Sequence, residues 1–309
     1  MPVAGRGTAV LSYRWLSVGF VSSPVIDLPT PVIGSLSPSR AADFKTCPLL
    51  YRLRSIDRLP EEPSPAAARG SLVHGVLERL FARPASERTM STAEALVEPQ
   101  WKVLLESDPE LGRMFPDPVE LAAWLASARH LLAAYFELED PTRLEPAERE
   151  QLVEVLLPSG LRLRGFVDRL DVASTGEIRV VDYKTGASPR AAFEGKALFQ
   201  LKFYALVIWR TRGVVPRQLR LLYLGDRDML TYAPDELELT RFERTLEALW
   251  AAIARATEAR DFRPSPSRLC SWCSYKSNCP AFGGSPPPYP AAVQPPSSLE
   301  EDVSPVADD

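Results

Sequence analysis

Asp168, Asp182 and Lys184 are the residues of this chain best placed by type and spacing to do chemistry together. The first lies in Gly165-Phe166-Val167-Asp168-Arg169-Leu170-Asp171, and the other two lie in Asp182-Tyr183-Lys184-Thr185-Gly186. A Ser174-Thr175-Gly176 turn separates these two alternating runs, which predicts a β-hairpin. Strand alternation puts Arg162, Arg164, Phe166 and Asp168 on one face, and Ile178, Val180, Asp182 and Lys184 on one face. Two carboxylates on adjacent strands offer the oxygen ligands that a hard divalent cation such as Mg²⁺ prefers. A lysine two residues past the second acid can orient a water or offset charge building on a phosphate. A surface cross-strand ion pair would use the same residues, so the trio alone leaves both readings open.

Other residues can join them. His74 is one of two histidines; a neutral imidazole ligates metals, and Glu78 projects beside it one helical turn on. An ordinary half-buried helix histidine is the alternative. Gln200 and Tyr204 stand four apart on a predicted helix and face the same way, so both could contact phosphate oxygens or a base edge. Lys196, Lys202 and Arg210 on that helix would add phosphate contacts or simply form a solvated face. The four cysteines, Cys47 and then Cys270, Cys273 and Cys279, form one distant member and a C-x2-C-x5-C cluster. In a cytosolic chain such a cluster points to metal–thiolate ligation, either a [4Fe–4S] cluster or a structural Zn²⁺, with disulfides or free thiols as the alternative.

The elements that must position these groups can be read from periodicity. Serines and Pro38 open a helical stretch from Arg40 to Arg54 that breaks at Cys47-Pro48, and residues 60–68 read as a loop. Apolar rows predict helices over 70–81, 91–107 and 117–137. From Glu150 the period turns to alternation, with strands over 150–157, 161–171 and 177–184, a helix over 196–210, a strand over 218–224 and a helix over 235–260. This order implies an α/β fold whose mixed sheet is flanked by helices. At 309 residues, with 45% hydrophobic and 25% charged residues, the composition is that of an ordinary globular protein. The net charge of −4 comes largely from an acidic tail, and residues 36–282 are balanced, so composition neither favours nor excludes a nucleic-acid partner. No apolar run reaches the ~18–20 residues of a membrane helix. The apolar run Trp15–Ile26 comes after Arg14 like a weak leader, but Pro24, Pro29 and Pro31 interrupt the pattern and no clear cleavage site is present.

Taken together, these motifs resemble those of a RecB-family exonuclease of the PD-(D/E)XK nuclease superfamily. Gly70–Glu78 resembles the family's G-x3-H-x2-L-E helix, Gly165–Asp171 its G-x2-D-R-x-D strand, Asp182–Gly186 its D-x-K-T-G strand, and Gln200–Tyr204 its Q-x3-Y helix. The four cysteines resemble the iron–sulfur staple of AddB and Cas4-type nucleases. Val167 stands where many superfamily members carry proline. The resemblance implies a restriction-endonuclease-like core with an N-terminal helical region. His74, Asp168, Asp182 and the Tyr183 backbone carbonyl would ligate Mg²⁺ or Mn²⁺. Lys184 would position the attacking water, and Gln200 and Tyr204 would contact DNA. Cys47, Cys270, Cys273 and Cys279 would hold [4Fe–4S], or alternatively Zn²⁺. The implied reaction is phosphodiester hydrolysis leaving a 5′-phosphate and a 3′-hydroxyl, on single strands or duplex ends, in DNA repair or recombination. A cytoplasmic location is expected. No G-x4-G-K-[ST] phosphate loop is present, so any helicase motor would be a separate chain. A non-catalytic DNA-end-binding module and a Cas4-like nuclease are the alternatives. The expected organisation is an extension over 1–35, a nuclease domain over 36–282 and a disordered Pro-rich tail over 283–309. The domain would comprise a helical part to 148, a catalytic sheet core over 149–262 and the cysteine cluster over 263–282.

Overall fold

In the computed structural model, which describes residues 35–188 and 194–290, the first helix begins at its Ser-Pro signal. Helix α1 (Pro38–Thr46) has Pro38 in its first turn, and the Ser37 hydroxyl accepts from the Arg40 amide. The Cys47-Pro48 break separates it from α2 (Pro48–Tyr51), which runs into a wide π-type turn over Arg52–Ile56. The expected extension over 1–34 and the tail beyond 290 lie outside the described residues.

Helix α3 (Pro65–Phe81) starts earlier than its apolar rows suggest. Pro65 occupies the first turn, where its missing N–H costs nothing, so Ala66–Ala68 belong to the helix rather than to the expected loop. The stretch expected as one helix over 91–107 is two, α4 (Met90–Ala95) and α5 (Val97–Ser107). Pro99 has no amide to donate back across that joint. Helix α6 (Pro118–Leu138) is capped by Asp117, whose side chain accepts from the Val119 amide.

The sheet has five strands in sequence order: β1 (Glu148–Leu156), β2 (Arg162–Val172), β3 (Ile178–Lys184), β4 (Gln218–Tyr223) and β5 (Asp228–Tyr232). The pairs β1–β2, β2–β3 and β4–β5 are antiparallel, whereas β3 and β4 are parallel. A parallel pair needs a crossover, here supplied by α7 (Glu194–Arg212). The five-residue edge strand β5, half exposed, falls in a stretch that reads as a plain connection to α8 (Glu236–Glu258).

Two apolar cores sandwich the sheet. Val180, Leu219 and Leu221 pack with Phe203 and Leu206 of α7 and with Leu239 and Leu246 of α8. Val181, Tyr183 and Leu222 point the other way, against Leu72, Val76 and Leu132 of α3 and α6. Strand β3 is therefore buried on both faces, as a strand inside a helix–sheet–helix sandwich must be. A third, small cluster joins Leu49 and Leu53 to Tyr275, with Cys47, Cys273 and Cys279 packed against it. Packing continues past residue 282: Tyr289 stacks on Phe262, and Arg52 donates to the Pro287 carbonyl.

Candidate functional site

The site lies where β2 and β3 part. Their ladder runs from Val172 opposite Ile178 to Arg169 opposite Val181 and then stops. Beyond that point Leu36 bridges to Leu163: its amide donates to the Arg162 carbonyl at 2.8 Å, and its carbonyl accepts from the Arg164 amide at 3.0 Å. A residue from the start of the described chain thus holds the fork open. At its apex the Asp168 carboxylate accepts from the Tyr183 amide at 2.6 Å, replacing the backbone acceptor that a continued ladder would supply.

Asp182 and Lys184 come next, on the β3 face that α7 covers. Asp182 is 2% exposed, and its Oδ1 accepts from Gln200 Nε2 at 2.8 Å. Its other oxygen lies 2.5 Å from Lys184 Nζ but takes no well-directed hydrogen bond. Burial first, and then the neighbouring Asp168 charge, push the Asp182 carboxyl up to about 6 against the pull of Lys184. Lys184 Nζ donates to Gln200 Oε1 at 2.9 Å. Gln200 therefore ties the acid and the lysine together, and its Nε2 also lies 3.2 Å from the Tyr204 hydroxyl. Tyr204 is buried, which raises its phenol. Gly165 makes room for it, because a Cβ there would meet Tyr204 Cε1 at 2.8 Å.

His74 reaches the same place from α3. Its Nε2–H donates to the Tyr183 carbonyl at 2.9 Å, while Nδ1 lies 3.5 Å from Asp168 Oδ2 and 3.7 Å from Glu150 Oε1. Burial alone would lower its pKa, but the Asp168 and Glu150 carboxylates outweigh burial and push it up to about 10. Asp168 and Glu150 on its Nδ1 side and the nearby Asp182 all favour a positive charge on this ring.

His74, Asp168, Asp182, Lys184, Gln200 and Tyr204 meet at this fork, with one addition, one rearrangement and one absence, Glu78. The addition is Glu150, which the sequence does not single out. His74, Glu150 and Asp168 are the donors whose ligating atoms fall within 4.8 Å of one another among the described residues. Asp182 stands outside that triad, turned toward Lys184 and Gln200, and Glu78 is exposed on α3. Glu150 adopts φ +44° within β1, a conformation rare for a non-glycine residue and common at functional sites. The pairing of Arg149 with Arg169 and Gln151 with Val167 puts it level with Asp168. Register is the only signal that could have found it. Of the helix cations, Lys202 pairs with Glu238 and Arg210 with Glu243, both at 2.7 Å, so these two serve α7–α8 packing; the Lys196 side chain lies outside the described residues.

The four cysteines line one cavity of about 60 Å³ between α2 and the 264–282 segment. The Ser265 amide points at Cys47 Sγ and the Ser267 amide at Cys270 Sγ, each at 3.3 Å. No three of the sulfurs lie within 4.8 Å among the described residues. That spread is wider than the ~3.8 Å separation that tetrahedral Zn–S bonds of about 2.3 Å impose.

The sequence profile of the PD-(D/E)XK nuclease superfamily matches residues 35–280. The chain belongs to that superfamily. Nucleases of this superfamily use divalent metals, and the His74, Glu150 and Asp168 cluster is where this member brings such ligands together. The chain is 25% identical over 273 residues to the Gene 69 protein of Mycobacterium phage D29, covering 80% of this chain and 96% of that protein. It is 35% identical over 127 residues to the Gene 69 protein of Mycobacterium phage L5, covering 40% of this chain and 41% of that one. In fold it is similar to a crystal structure from Eubacterium rectale, provisionally named an exonuclease. That match has a TM-score of 0.53 and 16% identity, and covers 77% of this chain and 86% of the other.

Proposed function

We propose that this superfamily member is a RecB-like, Mg²⁺- or Mn²⁺-dependent DNA exonuclease acting on single strands or duplex ends. The observation that carries the reading is the convergence of Asp168, Asp182, Lys184 and His74 at one fork, with Gln200 bridging the second acid and the lysine. Every catalytic position of the motif set is filled, which favours an active enzyme over a binding module.

The donor set fits a hard cation. It offers carboxylate oxygens, one imidazole and a backbone carbonyl, and one Asp182 oxygen is buried without a well-directed hydrogen bond. His74, Asp168, Asp182 and the Tyr183 carbonyl would hold the ion, with Glu150 beside them. A bound divalent cation supplies Lewis acidity toward a phosphate oxygen. Lys184 holds the attacking water or offsets charge developing on the phosphate, and Gln200 and Asp182 fix its ammonium. Gln200 and Tyr204 face the cavity through which DNA would arrive. The products would be a 5′-phosphate and a 3′-hydroxyl. A role in repair or recombination, and a separate helicase partner, rest on the RecB resemblance.

The cysteine cavity would hold a [4Fe–4S] cluster, with a structural Zn²⁺ as the alternative. Four thiols around one small cavity and amides aimed at two of the sulfurs support a thiolate-held metal group there, and the resemblance to AddB and Cas4-type nucleases favours the cluster.

The test is cleavage of end-labelled linear and circular DNA with Mg²⁺ or Mn²⁺. Asp182→Asn and Lys184→Ala should each lower the rate at least ~100-fold, with unfolding curves like that of the wild type, and the circle should resist. Undiminished cleavage by both variants would end the assignment. DNA binding by the wild type without cleavage in any divalent metal would favour a binding module.

A further inference from the structure

A cavity of about 1190 Å³ opens beside the fork, and its lining includes Asp168, Gln200 and Tyr204. It exceeds the ~300–1,000 Å³ usual for a small-molecule site. Its other walls carry no catalytic chemistry. Phe166 lies two residues before Asp168 on the same face of β2 and is 56% exposed. It forms no ring pair among the described residues. Among the described residues this large exposed aromatic beside a catalytic acid packs into none of the apolar clusters.

The cations around it are also unspent. Among the described residues the Arg40 side chain donates only to Ser35, at 3.0 Å to its carbonyl and 3.3 Å to its hydroxyl. Lys45 lies 4.3 Å above the Phe199 ring. Neither has a carboxylate partner among the described residues. Arg164 makes only a loose 3.9 Å approach to Glu154. Three cations with weak or no acidic partners around an exposed ring match a strand that presents phosphates on one side and bare base faces on the other. Inside a duplex the base faces are stacked on one another, so a single strand offers such a ring an open base at every step.

We propose that this cavity is a binding channel for single-stranded DNA, in which Phe166 stacks on a base next to the scissile phosphate while Arg164, Arg40 and Lys45 hold the backbone. The proposal rests on the nuclease reading for the identity of the polymer, and its test is independent of cleavage. Full-length protein is titrated in EDTA with short oligonucleotides carrying 2-aminopurine at successive positions, alongside a blunt duplex of equal length. Phe166→Ala should weaken single-strand binding roughly 5- to 150-fold, abolish the 2-aminopurine signal at one position, and leave duplex binding unchanged. Phe166→Trp should retain both affinity and signal. Arg164→Ala should flatten the dependence of log K on log salt by about 0.7. Wild-type affinity in a folded Phe166→Ala variant overturns the channel, as does an equal loss on duplex. If single-strand binding falls as described but the wild type cleaves DNA in no metal, the channel stands and the nuclease reading falls.

Discussion

His74 joins two chemistries in one side chain. Without a divalent metal, its raised pKa means the folded state holds a proton that the unfolded chain releases near pH 6.5. The stabilisation is complete below about 6.5 and is lost as pH rises through about 10. The Asp182 carboxyl, raised to about 6, acts in the same direction: it favours the folded state at low pH and loses that contribution as pH rises from 3.8 through about 6. In EDTA the melting temperature should therefore fall between pH 5.5 and 9.5. Mg²⁺ or Mn²⁺ should restore it most at the alkaline end, where no proton competes for the imidazole. His74→Asn should flatten the fall above pH 6.5; an unchanged slope would remove the histidine from the charge balance. These roles are only partly legible in sequence. Residue type and spacing single out Asp168, Asp182, Lys184 and His74, whereas Glu150 sits in Glu-Arg-Glu at the start of a strand, with nothing to separate it from any surface acid. Gln200 reads as facing DNA, and its hold on Asp182 and Lys184 emerges only once α7 is packed on β3.

The elements are fixed to one another by a buried charge network as well as by apolar contact. Arg169, fully buried beside Asp168 in β2, donates to Glu139 at the end of α6 at 2.7 and 3.0 Å, to Asp171, and to the Tyr183 hydroxyl at 3.0 Å. Arg220 of β4 reaches the same Glu139 at 3.0 Å. One carboxylate thus joins a helix to two strands. Glu139→Ala would leave Arg169 short of its main counter-ion in a buried setting, at a cost of about 3–5 kcal/mol, and urea unfolding should show it. A loss under ~1 kcal/mol, the scale of an exposed pair, would mean that Asp171 suffices. Periodicity reveals most of these elements, because α3, α6, α7 and the hairpin strands have one or two faces committed to a core. It misses β5, too short and too exposed to impose a pattern, and it merges α4 with α5, whose apolar row continues across Pro99. Strand order and the fork are beyond it. The fork depends on Leu36 reaching Leu163, a pairing that no local pattern encodes.

Across the whole molecule, the segment after α8 returns to the first helices. Tyr275 packs on Leu49 and Leu53, its hydroxyl donates to the Leu59 carbonyl at 3.1 Å, and the four cysteines gather behind it. If the cavity holds the proposed cluster, anaerobically purified protein should contain about four irons and four sulfides per chain. Cys47→Ser should then lose the iron and melt at a lower temperature, because the link that closes the chain on itself is cut. One zinc and no iron would rule the cluster out. The same return contact orders events during synthesis. Cys47, Leu49 and Leu53 emerge more than 200 residues before Tyr275. At about 5–20 residues per second this leaves them uncovered for roughly ten to fifty seconds. Through that interval Cys47 is without the three later cysteines, and Leu49 and Leu53 are without Tyr275. A nascent chain is thus open to oxidation and to chaperones at the place the finished protein closes last.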